Sequence, residues 1–231
     1  MSEPRPSAST ARDRIFGKIR ASLDVKADDS ARAVLIASRI ASRARHLTPA
    51  RALLAPAELR AQFTAYLTIG QATVIDVPTL DGLPMAIAAY LRDHNRPARI
   101  RMGADPRLAA LPWNTAPGLE RLTGRAQPDD EVSLSYAVAG AAETGTLVLT
   151  SGPDNPVTLN YLPETHMIVV DANTLVGPYE SAFDIVRAKL GVGVMPRTLN
   201  LITGPSRTSD IGGKTVMGAH GPRFLAVLVV G

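Results

Sequence analysis

Apolar residues recur at helical spacing along the first quarter of the chain. In "ASTARDRIFGKIRASL" (8–23), Ile15, Phe16, Ile19 and Leu23 fall on one stripe opposite Arg and Lys, with Ser9 or Thr10 available as a cap. A second basic helical stretch, 31–45, carries Val34, Leu35 and Ile40. Pro56 suits the first turn of a third helix, which aligns Leu59, Phe63, Tyr66 and Leu67.

From residue 72 the period changes. Short apolar runs rich in β-branched residues predict strands at 72–77, 98–103, 145–151, 166–172, 198–204 and 224–230. Helical patterns at 83–95 and 179–191 lie between them, and "VSLSYAVAGAA" (132–142) predicts a strand followed by a helical turn. Trp113 falls in a Pro/Gly-rich loop, where it reads as an anchor. Strands alternating with helices predict an α/β fold: a mostly parallel sheet covered by helices, with a helical N-terminal extension. The reading divides the chain into a basic helical extension, 1–60, and an α/β domain, 61–231.

Composition narrows the chemistry. Apolar residues make up 45% and charged residues 20%, as in ordinary globular chains. No apolar run approaches the roughly 20 residues of a membrane span, and "MSEPRPSASTARDRIF" lacks a signal core, so a cytoplasmic protein without a membrane span is expected. There is no cysteine, which excludes disulfides, thiolate metal sites and iron–sulfur clusters held by the chain's own thiolates. His46, His94, His166 and His220 form no close pair, so no metal site and no cofactor bound by this chain alone are expected.

The charge is uneven. Residues 1–60 hold 12 Lys/Arg against 6 Asp/Glu, and the remainder 13 against 15. Without aromatic interleaving or a reading motif, this points away from nucleic acid and towards either a docking arm for an acidic partner or a solvated helical face.

Chemistry concentrates in "TGPSRTSDIGGKTVMGAHGPR" (203–223). Here a strand runs into Gly204 and Pro205, then into hydroxyls and an arginine. If a helical turn starts near Ser206, its free N–H groups together with Ser206, Arg207 and Thr208 make an anion site. The bland alternative is a helix cap with a surface arginine. His220 sits between small residues, and Asp210 is near enough in sequence to share its site. In "AAETGTLVLTSG", Glu143 stands before a strand, followed by Thr144, Gly145 and Thr146. It reads as an acid/base group, a nucleophile, a partner of Arg207 or Arg223, or a cap on the Thr-Gly-Thr turn. In "LNYLPETH", Asn160, Tyr161 and His166 can face one side.

With "AETGTLVL", "LPETHMIVV", "TGPSRTSDI" and "GAHGPR" in this order, the chain resembles the LUD-domain family from about Val132 to the end. The resemblance implies a fold related to ribose-5-phosphate isomerase, glucosamine-phosphate deaminase and CoA transferases. It also implies a place in a three-protein system oxidising L-lactate to pyruvate, whose other two members carry the iron–sulfur clusters. On that reading the chain is a non-redox subunit contributing ligand binding or assembly. The alternative is a stand-alone enzyme on a CoA ester or sugar phosphate, with Glu143 covalently involved. The expected site combines Glu143, Asp210 and His220 as catalytic groups with Thr144, Gly145, Thr146, Gly204, Ser206, Arg207 and Thr208 around a small anion. Family members commonly carry Glu after the Asp-Ile pair, where this chain has Gly212.

Overall fold

A computed structural model describes residues 10–24, 29–45 and 47–231; for Asp210 and Ile211 only the backbone is described. The chain forms two compact units, which divide after His46.

The first unit holds α1 (Ala11–Ser22) and α2 (Ser30–Ser42). Thr10 caps α1: its hydroxyl accepts the Asp13 N–H, and the Asp13 carboxylate accepts the Thr10 N–H. Ser9, the other candidate cap, lies outside the described residues. Asp29 caps α2 by accepting the Arg32 N–H at 2.9 Å. The predicted stripes exist, yet Ile15, Phe16, Ile19, Val34 and Ile40 are all exposed.

The second unit begins with α3 (Pro56–Ile69), whose Phe63 and Leu67 are fully buried in its core. At its centre is a six-stranded sheet of β1 (Thr73–Val77), β2 (Arg99–Met102), β3 (Glu120–Thr123), β4 (Val132–Tyr136), β7 (Thr165–Asp171) and β12 (Phe224–Val230). Every pair in it is parallel, in the order β1-β12-β7-β4-β2-β3. A second sheet joins β8 (Leu175–Val176), β5 (Ala139–Ala141), β6 (Thr146–Thr150) and β9 (Leu199–Ile202), in that order. The remaining helices are α4 (Leu83–Asp93), α5 (Pro106–Ala109) and α6 (Tyr179–Leu190); β10 (Arg207–Ile211) and β11 (Lys214–Met217) form a hairpin.

Why the Met167–Val170 run of β7 is apolar without a break follows from its position. Successive side chains point to opposite faces, and both faces are covered. Met167 and Val169 pack with Ile87 and Leu91 of α4 on one side. Ile168 and Val170 pack with Phe63 and Leu67 of α3 and Leu147 and Leu149 of β6 on the other. That second face is therefore covered partly by a sheet rather than by helices alone. Beyond it, Ala182 and Val186 of α6 pack on Val138, Ala139 and Val148. Among the described residues no helix is long and apolar enough to cross a membrane.

Two local expectations are corrected. The predicted helical turn in "AVAGAA" is instead strand β5, pairing antiparallel with β6 and parallel with β8. Tertiary packing overrides the helix propensity of alanine here. A Cβ on Gly140 would lie 2.5 Å from Leu175 Cδ2 and 2.9 Å from Phe63 Cε2, so a small-residue strand is what lets α3 approach. The second correction concerns Ser206, where no helix starts. Ile211 pairs with Lys214 across Gly212 and Gly213, whose φ values are +60° and +71°. A two-residue hairpin turn with both central φ positive requires this pair of residues, and it commits the flanking chain to strands.

The short edge strand β3 carried too little alternation to be seen in the sequence. Trp113 does anchor its loop: it is buried, and its indole N–H donates to Leu108 O at 2.8 Å.

Candidate functional site

The two Gly-Pro segments meet. Ser206 N–H donates to Pro222 O at 2.8 Å, and Gly218 N–H donates to Ser206 O at 2.8 Å. These backbone bonds tie the loop carrying His220 beside the segment carrying Ser206. Gly221 is packed so closely that a Cβ on it would lie 3.3 Å from Ser206 Cβ. Gly204, at φ +116°, makes the turn out of β9, where a Cβ would lie 2.8 Å from Gly70 O.

Between these segments and β7 lies a cleft of about 220 Å³, lined among others by Ser206, Gly204, His220, Asn160, Tyr161 and His166. His220 and Tyr161 also border a wider hollow of about 560 Å³ with Glu164 and Arg223. The cleft sits at the carboxyl end of β9 but at the amino ends of β7 and β12, where His166 pairs with Leu225. It therefore departs from the rule that ligands gather at the carboxyl ends of the central parallel strands.

Some of the buried polar groups with incomplete pairing lie at this end, although Asn155, unpaired at both amide atoms, does not line the cleft. His166 is buried, its Nε2 2.9 Å from Ser135 Oγ, and burial pushes its pKa down to about 3. The ring is therefore neutral at physiological pH. Asn160 is 2% exposed, and neither its Oδ1 nor its Nδ2 has a hydrogen-bond partner among the described residues. Asn200 Oδ1 accepts from the Tyr161 hydroxyl at 2.9 Å, while its Nδ2 is left over. An unpaired buried amide costs about 1–3 kcal/mol, a cost that folding alone does not explain.

Arg207 lies at the start of β10, exposed, with its Nη2 3.7 Å from where a Cβ on Gly204 would be. Its guanidinium thus lies near Gly204, a cleft residue, but Arg207 itself does not line the cleft. Thr208 pairs with Val216 in the hairpin. Asp210 lies in the same strand, and its side chain is outside the described residues.

The structure does not bring Glu143 to this cleft. Its Oε1 accepts the Tyr179 N–H at 3.1 Å, at the first residue of α6. Its Oε2 is 3.8 Å from Arg51 Nη2, and Arg51 Nε donates to its main-chain oxygen at 3.2 Å. Glu143 is thus a buried clamp between Arg51 and α6, and its cation is Arg51 rather than Arg207 or Arg223. Gly145, at φ +66°, lets this turn press on α3, where a Cβ would lie 2.7 Å from Tyr66 Cβ. A hydroxyl chain links the turn to the cleft: Thr144 and Thr146 each lie 2.7 Å from Tyr179 Oη, and Thr146 lies 2.7 Å from Thr203 Oγ1, a cleft residue.

Sequence reasoning grouped Asn160, Tyr161 and His166 but did not make them the floor of the site. Asn200 and Thr203 were missed altogether; the available signal was a polar Asn inside the apolar run "TLNLITG".

The LUD domain model matches residues 87–230. The chain belongs to the LUD-domain family. The matched LUD segment contains the whole cleft and the Glu143 turn. The LUD chain is 34% identical over 119 residues to Lactate utilization protein C of Bacillus subtilis, covering 51% of this chain and 49% of that one. It is 38% identical over 100 residues to an uncharacterized protein of Neisseria meningitidis, covering 43% and 42%. The chain spans about half the length of the curated relatives it matches. A crystal structure of a DUF162 family protein from Deinococcus radiodurans matches with a TM-score of 0.59 at 28% identity, covering 77% of this chain and 99% of that one.

Proposed function

We propose that this LUD-domain chain is a cytoplasmic, non-redox subunit of a system that oxidises L-lactate to pyruvate. Its part is to hold the small hydroxy- or oxo-acid in the cleft, while iron–sulfur clusters on two partner proteins accept the two electrons. The name carried by its relatives supports the pathway, and the absence of cysteine fits a division of labour in which other chains hold the clusters. The observation that carries the binding role is the buried Asn160 amide, unpartnered beside a neutral His166 in a cleft that fits a molecule of a few heavy atoms.

Ser206 and His220 stand where they can donate to a carboxylate, and Arg207 adds its charge from the rim. The Asn160 amide offers both a donor and an acceptor to a hydroxyl or carbonyl group. The basic helices α1 and α2, with their exposed apolar stripes, suit docking to an acidic partner surface.

Lactate-dependent dye reduction tests this reading. The purified chain is expected to be inactive alone and to be required for activity when combined with iron–sulfur proteins that co-purify with it from its native host. Turnover of L-lactate by the isolated chain, or full activity of the partners without it, contradicts the reading.

A further inference from the structure

Two strands, β3 and β6, end into one groove on the second unit. Gly124 and Arg125 follow β3, while Ser151 and Gly152 follow β6. Arg197 and Thr198 enter from the segment before β9, and Thr158 completes the wall. The groove holds about 530 Å³, more than twice the cleft's volume, and shares no lining residue with it.

Most arginines of this unit are matched with a carboxylate, as Arg101 is with Asp130 at 2.7 Å and Arg107 with Asp105 at 2.6 Å. Arg125 and Arg197 differ. Among the described residues neither guanidinium meets a carboxylate, and none of the residues lining the groove is acidic. Two hydroxyls add to them. Thr158 Oγ1 accepts the Ala126 N–H at 2.9 Å, and Ser151 Oγ accepts the Thr198 N–H at 2.8 Å. Each oxygen is held in place by a backbone donor and retains its own O–H to give away.

From this arrangement we infer a second binding site, for the phosphate group of a phosphate ester, between Arg125 and Arg197. Two planar cations and two oriented hydroxyl donors exceed what a carboxylate's two oxygens use, but they suit a phosphate's three terminal oxygens. The groove's volume beyond the phosphate accommodates the organic part of the ester. This site does not depend on the lactate reading, since it draws on different residues and different chemistry.

Calorimetric titration tests it, with inorganic phosphate and glycerol 3-phosphate as probes and acetate as the carboxylate control. Both phosphates are expected to bind, with acetate at least tenfold weaker. Arg125→Gln and Arg197→Gln are each expected to weaken phosphate by about tenfold, as loss of a charge-assisted bond does. Both side chains are exposed, so the melts of the variants stay at the wild-type value. The cleft variant Asn160→Leu leaves phosphate affinity unchanged. No phosphate binding by the wild type, wild-type affinity in the double arginine variant, or loss of phosphate binding in Asn160→Leu overturns the inference.

Discussion

Burial keeps the His166 imidazole uncharged, at a pKa of about 3 against the ordinary 6.5. The unfolded chain therefore takes up this proton first as the pH falls. Stability from this residue is complete above about pH 6.5 and declines towards pH 3, by roughly 1.4 kcal/mol per pH unit within that window. Burial also pushes the Asp105 and Asp130 carboxyls up, but hydrogen bonds from Arg107 to the first, from Arg101 and the Gln127 N–H to the second, and the charge of nearby cations together outweigh it, so both lie below the usual value. Their contribution is lost only below about pH 4. Denaturant melts at pH 7 and pH 5 isolate the histidine: the wild type is expected to lose stability across this interval, and His166→Gln to show a flatter dependence. Equal slopes in the two proteins contradict a neutral buried imidazole. At this scale the sequence revealed what glycine and proline mark. Ser206 and His220 stood out because Gly-Pro pairs flank them. Asn160 did not, because a buried unpaired amide and a solvated loop amide are the same letter, and only its burial in the folded chain separates them.

At the level of elements, the Glu143 turn shows how a motif can be legible while its task is not. Spacing placed a carboxylate before a strand, and cap and catalyst read alike from there. What decides is α6, which arrives from 36 residues downstream with its Tyr179 N–H aimed at Glu143 Oε1. Glu143→Ala is expected to cost about 1–3 kcal/mol in a denaturant melt, because it orphans a helix N–H and removes the carboxylate near Arg51. Glu143→Gln keeps an acceptor and should retain most of that stability. An unchanged melt for the alanine variant contradicts the clamp. The same distance problem hid β5 and β10. Local propensity in "AVAGAA" favours helix, and hydroxyls after Gly-Pro resemble a cap. The outcome depends on Phe63 and Leu175 in the first case and on the Gly212–Gly213 turn in the second.

For the whole molecule, the mostly parallel α/β sheet was readable because the Met167–Val170 run of β7 and the length of β12 are covered on both faces and so are apolar without alternation. The second sheet was not readable, since β6 and β9 look like further members of the first, β5 reads as a helical turn, and the two-residue β8 is too short to show a pattern. That sheet shapes the cleft: β9 delivers Thr203, Gly204 and Ser206 to the amino ends of β7 and β12. The anion site first expected at a helix start loses its helix contribution, leaving Arg207 at the rim and the Asn160 amide at the floor. Calorimetric titration of L-lactate and pyruvate into wild type and Asn160→Leu tests this account most directly, with a denaturant melt of each protein alongside. The account predicts that the wild type binds and that Asn160→Leu binds at least tenfold more weakly. The variant's melt should be unchanged or raised, because an unpaired buried amide has been replaced by an apolar side chain of similar size. Failure of the wild type to bind either acid, or wild-type affinity in Asn160→Leu, contradicts it.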